Sequence, residues 1–261
     1  AVDGKRVWLS LRILSGLDRL AWRADATNVQ PDGAMGRSYD DLAEFLSTTH
    51  EVIEFSFDWR RPIEQEARRL AGVLDQALSA RSATSQPVHL LAHSMGGLVA
   101  QGLATKRLDL VRAMVLANTA AKIGGPTLWE ARIAEVAAHG LAAYAPGAME
   151  RMFGRGWQSH PAMPRIRATL EATNPQGWIG SAHAIAGADF YTTTAALTLP
   201  SLVIAGANDG TTPPDLVRET AELIPGHRFQ LLRRAGHLPM VEKPAEYAAL
   251  LTQFLTEIGH V

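Results

Sequence analysis

The chain has 261 residues, 47% of them apolar and 20% charged, and a formal net charge of −1. This length suits one large domain with a sizeable core, and the near-neutral charge argues against nucleic acid or an anionic membrane surface as partner. The absence of cysteine excludes disulfides and thiolate chemistry, and no apolar run approaches the ~20 residues of a membrane span. We expect a cytoplasmic protein, and the first residue, Ala1, indicates a trimmed or mature N-terminus.

Short apolar runs predict six strands, which alternate with segments whose apolar residues recur at helical spacing. The predicted strands are residues 7–11, 51–57, 88–93, 113–117, 201–205 and 229–232. Helices are predicted over residues 63–78, 96–105, 213–224 and 244–258. Such alternation is typical of an α/β protein with a mostly parallel sheet and helices on both faces.

Residues 120–199 break this alternation. They contain no convincing strand, and helical spacing appears near residues 128–138, 164–172 and 177–186. A helical insertion between two strands predicts a cap over the carboxyl edge of the sheet. We therefore expect a core formed by residues 1–119 and 200–261 and a helical cap formed by residues 120–199.

The predicted strand at 88–93 runs directly into Ser94, and its neighbours Ala92, Gly96 and Gly97 are small. A serine on a tight turn between a strand and a helix is held in a strained backbone that lifts its hydroxyl above the sheet. The small neighbours fit such a turn. This pattern predicts a nucleophile at Ser94.

Two further residues complete a catalytic constellation. Asp209 follows the fifth predicted strand, and His237 follows the sixth. A serine, an acid and a histidine in this chain order are the parts of the triad of an α/β-hydrolase fold, in which the histidine is the base and the acid orients it. Asn208 and Asp215 are neighbouring alternatives to Asp209. Each residue alone also fits an ordinary loop, but the three together favour the triad.

The same fold uses an oxyanion hole made of two backbone N–H groups. Met95, directly after the serine, would supply one of them. The second normally comes from the loop after an early strand, and Leu11 or Arg12 is the candidate here. No His-Gly pair marks that loop. The sequence contains no metal-ligating cluster, and we predict no cofactor.

Residues 88–261 resemble the 3-oxoadipate enol-lactonases of the α/β-hydrolase superfamily. The first motif that carries this resemblance follows the fourth predicted strand and reads Asn118-Thr119-Ala120-Ala121-Lys122-Ile123-Gly124, with Pro126 and Trp129 after it. The second motif lies in the predicted cap and contains Gly177, Ser181, Ala184, Ile185, Asp189 and Phe190.

The resemblance implies a cofactor-free serine hydrolase that opens an unsaturated lactone carrying a carboxylate. It assigns the triad to Ser94, Asp209 and His237, and it places Trp129 and Arg132 at the mouth of the pocket. Because these two residues lie three positions apart on a predicted helix, they share a face. Arg132 is either a clasp for a substrate carboxylate, with Trp129 as an apolar wall, or a solvated residue paired with Glu135 or Glu130, with Trp129 in the core of the cap.

Residues 1–87 resemble a different group, the bacterial lipases related to lecithin:cholesterol acyltransferase. The resemblance rests on the segments Gly36-Arg37-Ser38-Tyr39-Asp40-Asp41-Leu42 and Asp58-Trp59-Arg60. The two halves therefore point to different relatives within one superfamily. A natural mosaic, a recombinant chimera and a divergent member with a truncated start are the three interpretations.

The sequence thus predicts a serine hydrolase that cleaves a small-molecule ester or lactone through an acyl-enzyme, with an enol-lactonase as the most specific version. Two other classes stay open. One is a different enzyme on the same triad, either a cofactor-free haloperoxidase or a carbon–carbon bond hydrolase. The other is a catalytically weak scaffold that binds a small molecule.

Overall fold

The computed structural model describes residues 6–12, 39–56, 62–80 and 88–259. Its six strands form one parallel sheet in the order β2-β1-β3-β4-β5-β6. They are β1 (Arg6–Arg12), β2 (His50–Ser56), β3 (Val88–His93), β4 (Val111–Ala117), β5 (Ser201–Gly206) and β6 (Arg228–Leu232). The predicted fold class is confirmed. The motif at residues 58–60 and the first part of that at 36–42 lie outside the described residues.

Helices cover both faces of the sheet. Those outside the predicted cap are α1 (Asp40–Ser47), α2 (Ile63–Ser79), α3 (Met95–Lys106), α8 (Pro214–Glu222), α9 (Pro239–Glu242) and α10 (Pro244–Glu257). A proline occupies the first turn of α8, α9 and α10, where its missing N–H costs no hydrogen bond. Among the described residues, no helix is long and apolar enough to cross a lipid bilayer.

The sheet separates two hydrophobic clusters because successive residues of a strand face opposite sides. In β4, Met114 and Leu116 belong to the cluster packed by α2, α3 and α8. Ala113 and Val115 belong to the cluster packed by α1 and α10. All six residues of β3 and of β5 are buried, as expected for strands covered on both faces.

Between β4 and β5 every regular element is helical. These elements are α4 (Pro126–Met152), a 3₁₀ turn (Arg155–Trp157), α5 (Met163–Glu171), α6 (Pro175–Ala186) and α7 (Tyr191–Thr194). The helix α4 consists of two helical halves joined at Gly140, whose φ of 75° and ψ of 174° are not helical. The kink brings both halves of α4 over the same end of the sheet.

Parallel strands end at one edge of the sheet, so the loops that follow them meet there. Ser94 comes directly after β3 and Asn118 directly after β4. The loop after β5 carries Asp209, and the loop after β6 carries His237. The loops after β5 and β6 approach so closely that a Cβ on Gly206 would overlap the carbonyl oxygen of Gly236.

Candidate active site

Ser94 stands on the sharp turn between β3 and α3, with φ 52° and ψ −128°. Non-glycine residues rarely adopt a positive φ, and those that do cluster at functional sites. The N–H of Ser94 donates to the carbonyl of Ala117 at 3.0 Å, which ties the turn to the end of β4. On the other side of the turn, a Cβ on Gly97 would lie 2.4 Å from Thr119. Only glycine fits this position.

A continuous chain of hydrogen bonds links Ser94, His237 and Asp209. The Oγ of Ser94 lies 3.0 Å from Nε2 of His237 and donates to it. The opposite ring nitrogen, Nδ1, donates to Oδ2 of Asp209 at 2.8 Å. This arrangement leaves Nε2 free to accept a proton from the serine.

Asp209 is held as a carboxylate by several donors. Its Oδ2 accepts from Nδ2 of Asn118 at 2.8 Å and from Oγ1 of Thr212 at 2.6 Å, while its Oδ1 accepts the N–H groups of Thr211 and Thr212. Burial raises the pKa of Asp209. The nearby His237 and these hydrogen bonds outweigh that effect, so the net pKa lies below its usual value.

His93, the residue before Ser94, is buried beside the base. Its Nε2 donates to the carbonyl oxygen of His237 at 2.7 Å, and its Nδ1 accepts from the hydroxyl of Tyr39 at the same distance. Burial, together with the adjacent His237, lowers the pKa of His93 to about 3. The neutral ring therefore connects α1 to the backbone of the histidine loop.

A second buried group, Glu242, holds the loop that carries His237 through hydrogen bonds to backbone N–H groups. Its carboxylate accepts the N–H of Gly236 at 2.8 Å and that of Gly154 at 3.0 Å. Burial raises the pKa of Glu242 despite these bonds. The N–H of His237 in turn donates to the carbonyl of Met152 at the end of α4. The loop that carries the base is thus held by the segment leaving α4.

The proposed oxyanion donors lie at the ends of two neighbouring elements. Met95 is the first residue of α3, where the N–H has no partner within the helix. Leu11 and Arg12 are the last two residues of β1, and Leu11 pairs with Ala92 of β3. The loop after Arg12 lies outside the described residues, so the second donor stays a prediction.

A cavity of about 170 Å³ opens directly beside Ser94 and His237. Both halves of α4, together with α5 and α6, cover it. Its other described lining residues are Met95, Trp129, Arg132, Tyr144, Ala148, Arg151, Met152, Leu170, Trp178, Ser181, Ala182, Ile185 and Thr211. Most of this wall is apolar, as is usual for small-molecule sites.

The cavity also contains two guanidinium groups. Arg132 lies over the indole of Trp129, 5.0 Å from the ring, and Arg151 lies over the ring of Tyr144 at 5.2 Å. Burial lowers the pKa of Arg132, and the like charge of Arg151 contributes in the same direction. No described residue that lines the cavity is acidic. Glu135 lies near enough to oppose that pKa shift, but among the described residues the wall itself offers only positive charge to a ligand.

Four residues at this site were not given a role from the sequence. His93 and Glu242 carry no motif that would mark them, and Asn118 and Thr119 enter the sequence analysis only through the enol-lactonase motif. The polar residues after β4 were the available signal, because a parallel sheet brings the end of β4 between the loops of Ser94 and Asp209.

The fold and this hydrogen-bonded constellation are those of the α/β-hydrolase class of proteins, and comparison with known proteins gives the family. A sequence model described as the alpha/beta hydrolase family matches residues 5–250. The chain belongs to this family.

Individual relatives are hydrolases of esters and lactones. The 3-oxoadipate enol-lactonase 2 of Acinetobacter baylyi is 33% identical over 156 residues, which are 59% of this chain and 58% of that enzyme. A pimeloyl-[acyl-carrier protein] methyl ester esterase of Neisseria meningitidis serogroup C is 26% identical over 246 residues, 85% of this chain and 90% of the esterase. The solved enol-lactonase of Burkholderia xenovorans LB400 superposes with a TM-score of 0.79 and 25% identity, covering 97% of this chain and 93% of that one.

The interpretation of residues 1–87 as a lipase segment is not supported. The family model spans the boundary near residue 88 without a break, and the structural match to the Burkholderia enol-lactonase covers nearly the whole chain. The comparisons give no support to a mosaic or chimera. Short motifs such as residues 58–60 occur too easily by chance to assign a third of a chain.

Proposed function

We propose that the protein is a serine hydrolase that cleaves carboxylic esters or lactones through an acyl-enzyme. Ser94 is the nucleophile, His237 the general base and Asp209 the acid that orients it. The observation that carries the proposal is the unbroken hydrogen-bond chain from Ser94 Oγ through both ring nitrogens of His237 to Asp209, beside a cavity large enough for a small substrate.

In this mechanism Ser94 Oγ attacks the carbonyl carbon while its proton moves to Nε2 of His237. The negative charge on the carbonyl oxygen is stabilised by the N–H of Met95 and a second donor, Leu11 or Arg12. Collapse of the intermediate breaks the bond to the leaving oxygen, which takes the proton from His237. Water then attacks the acyl-enzyme by the same route and releases the acid. Asp209 stays ionised throughout.

The first test uses the Ser94→Ala variant and a matched serine from the same cavity. We expect Ser94→Ala to lower kcat for p-nitrophenyl acetate by on the order of 10⁴-fold or more, because a triad acts as a unit. Ser181 also lines the cavity, and its hydroxyl donates to the carbonyl of Gly177. Ser181→Ala should retain most activity.

Covalent labelling gives an independent readout of the same role. A fluorophosphonate probe should add its mass to Ser94 in the wild-type protein and in Ser181→Ala, and to neither site in Ser94→Ala. A folded wild-type protein that takes no label, or a Ser94→Ala variant with the wild-type rate, would contradict the proposal.

The more specific form of the proposal is a substrate that carries a carboxylate, as in an enol-lactone. The enol-lactonases named above are the relatives that favour it, and the cavity wall supports it because Arg132 lies on it beside Trp129. Within the part of the chain that the structure describes, no carboxylate forms an ion pair with Arg132. A guanidinium in this setting can donate two parallel hydrogen bonds to a carboxylate.

Arg132→Ala should therefore weaken hydrolysis of carboxylate-bearing lactones and leave neutral acetate esters nearly unchanged. The expected loss in kcat/KM corresponds to about 1.5–3 kcal/mol, the range for a hydrogen bond to a charged group. The exposed Arg165 on α5 provides the control, since Arg165→Ala removes the same charge away from the cavity. Equal losses on charged and neutral substrates would show that Arg132 supports the cavity wall and does not contact the substrate.

A further inference from the structure

Two adjacent polar residues follow β4, and both are completely buried. Asn118 and Thr119 each have 0% exposed surface. Asn118 also has a φ of 47°, in the left-handed region that asparagine tolerates better than most residues. Buried polar side chains are costly unless they are hydrogen-bonded, so their partners indicate what they do.

Thr119 contacts the turn that carries the nucleophile. Its Oγ1 donates to the carbonyl oxygen of Ser94 at 2.7 Å. The same side chain fills the space that a Cβ on Gly97 would need. One threonine therefore fixes the strained serine turn both by a hydrogen bond and by shape.

Asn118 contacts the two other loops. Its Nδ2 donates to Oδ2 of Asp209 at 2.8 Å and to the carbonyl oxygen of Gly236, the residue before His237, at 3.1 Å. Its Oδ1 is buried without a partner. The amide is thus oriented by its two donor bonds alone, because the flipped amide would turn Oδ1 toward two acceptor oxygens.

We propose that Asn118 and Thr119 are positioning residues that together set the spacing of Ser94, His237 and Asp209. Consecutive residues on one rigid strand end hold the nucleophile turn, the acid and the loop of the base. Neither side chain touches the cavity, so each acts through the group that it holds. This inference rests on the serine-hydrolase function proposed above.

The Thr119 contact is tested with two variants that differ in the hydroxyl. Thr119→Val keeps the shape and loses the donor, whereas Thr119→Ser keeps the donor. We expect Thr119→Val to lower kcat for p-nitrophenyl acetate by roughly 10-fold, the loss of one net hydrogen bond, with KM nearly unchanged. Thr119→Ser should restore most of the rate. If Thr119→Val and Thr119→Ser are equally active, the hydroxyl does not position the nucleophile.

The Asn118 contact is tested by the pH profile of kcat/KM. Asn118→Asp replaces the donor with a second carboxylate beside Asp209. Two carboxyl groups this close share a proton at low pH, and once both are ionised the added negative charge favours protonated His237, so the acidic limb of the profile should move upward. Asn118→Gly removes the donor without adding charge and tolerates the positive φ. It should lower kcat and move the limb much less. If Asn118 has a purely structural role, both variants should have a lower kcat/KM at every pH. The acidic limb of their pH profiles should then fall at the same pH as in the wild-type protein.

Other titratable groups that face this cluster are His93 and Glu242. His93 stays neutral above pH 5, because its pKa is about 3. The Glu242→Gln substitution removes the second titratable group. In a protein that carries this substitution, Asn118→Asp should still shift the acidic limb of the pH profile. A shift that disappears in that background would assign the effect to Glu242.

The same assays separate failure of this inference from failure of the proposed function. If the function is wrong, the wild-type protein takes no fluorophosphonate label. If only the inference is wrong, the wild-type protein is labelled at Ser94, and the Asn118 and Thr119 variants either keep the wild-type rate or lose rate equally at every pH, with the pH profile unchanged in shape. Far-UV circular dichroism checks folding, and the two Thr119 variants decide the outcome if Asn118→Gly does not fold.

Discussion

His93 illustrates how a single buried residue can support a site without facing the cavity. Its Nε2 donates to the carbonyl of His237 and its Nδ1 accepts from Tyr39, so both nitrogens of the neutral ring are hydrogen-bonded. A proton on Nδ1 would reverse the Tyr39 hydrogen bond, so that the ring donates to the hydroxyl oxygen, and it would place positive charge close to His237. The low pKa of His93, about 3, keeps this from happening in the neutral range.

Because His93 is buried and neutral, the free energy of unfolding depends on pH. A histidine in the unfolded chain has a pKa near ~6.5, so below that pH the unfolded state binds a proton that the native state refuses. The contribution of His93 is therefore fully present above about pH 6.5 and is lost as the pH falls toward 3, at up to ~1.4 kcal/mol per pH unit. Urea unfolding of the wild-type protein between pH 7 and pH 5 should show this slope.

A variant comparison assigns the slope to His93. His93→Gln should flatten the dependence on pH, although it lowers stability at pH 7. His139→Gln changes an exposed histidine of α4 and should leave the slope as it is. An unchanged slope in His93→Gln would mean that other groups cause it.

The sequence predicted the cluster of Ser94, Asp209 and His237 because each follows an apolar strand, and the structure brings their side chains together. The contacts of Asn118 and His93 could not be read in the same way. Their partners lie far away in the chain, and the sequence pattern does not say which loops touch above the sheet. A left-handed φ at Asn118 is likewise a property of the folded backbone.

At the scale of elements, α4 departs most from expectation. Helical spacing predicted a helix over residues 128–138, but α4 runs over Pro126–Met152. Gly140 and Pro146 are typical helix breakers, so the sequence pattern does not predict the second half of α4. Tertiary packing overrides them, since that half buries Leu141, Tyr144 and Ala148 against the core.

The kink at Gly140 depends on backbone conformation and not on space. A Cβ there would meet nothing within 4 Å, as at Gly72 in α2. The two positions differ in φ, which is 75° at Gly140. Gly140→Ala should therefore lower the free energy of unfolding by about 1–3 kcal/mol, the cost of a strained residue.

Gly72→Ala is the matched control and should raise stability by about 1 kcal/mol, because alanine is the better helix former. Urea unfolding at neutral pH measures both. If both variants shift stability in the same direction, then α4 can straighten without the glycine.

At the scale of the whole molecule, residues 120–199 share their core with the sheet. Trp129, Ala182 and Phe190 pack in the same cluster as residues of β3 and α3, and Val136 and Tyr144 pack in the cluster on the opposite face. The prediction of a separate cap domain is therefore best tested by cooperativity.

We expect a single unfolding transition. Three of the six tryptophans lie in residues 120–199, so tryptophan fluorescence monitors that segment, whereas far-UV circular dichroism follows all helices. The two urea midpoints should coincide. A fluorescence transition at lower urea would instead show that residues 120–199 unfold on their own.

The segment that leaves α4 has a consequence for laboratory evolution of substrate range. Met152 lines the cavity, and its carbonyl accepts the N–H of His237. Trp129 and Arg132, in the first half of α4, line the cavity without a backbone bond to that loop. Libraries at Trp129 and Arg132 should thus yield altered selectivity with turnover preserved. Libraries around Met152 should trade selectivity against turnover, because Met152 both lines the cavity and holds the loop of His237, the proposed base.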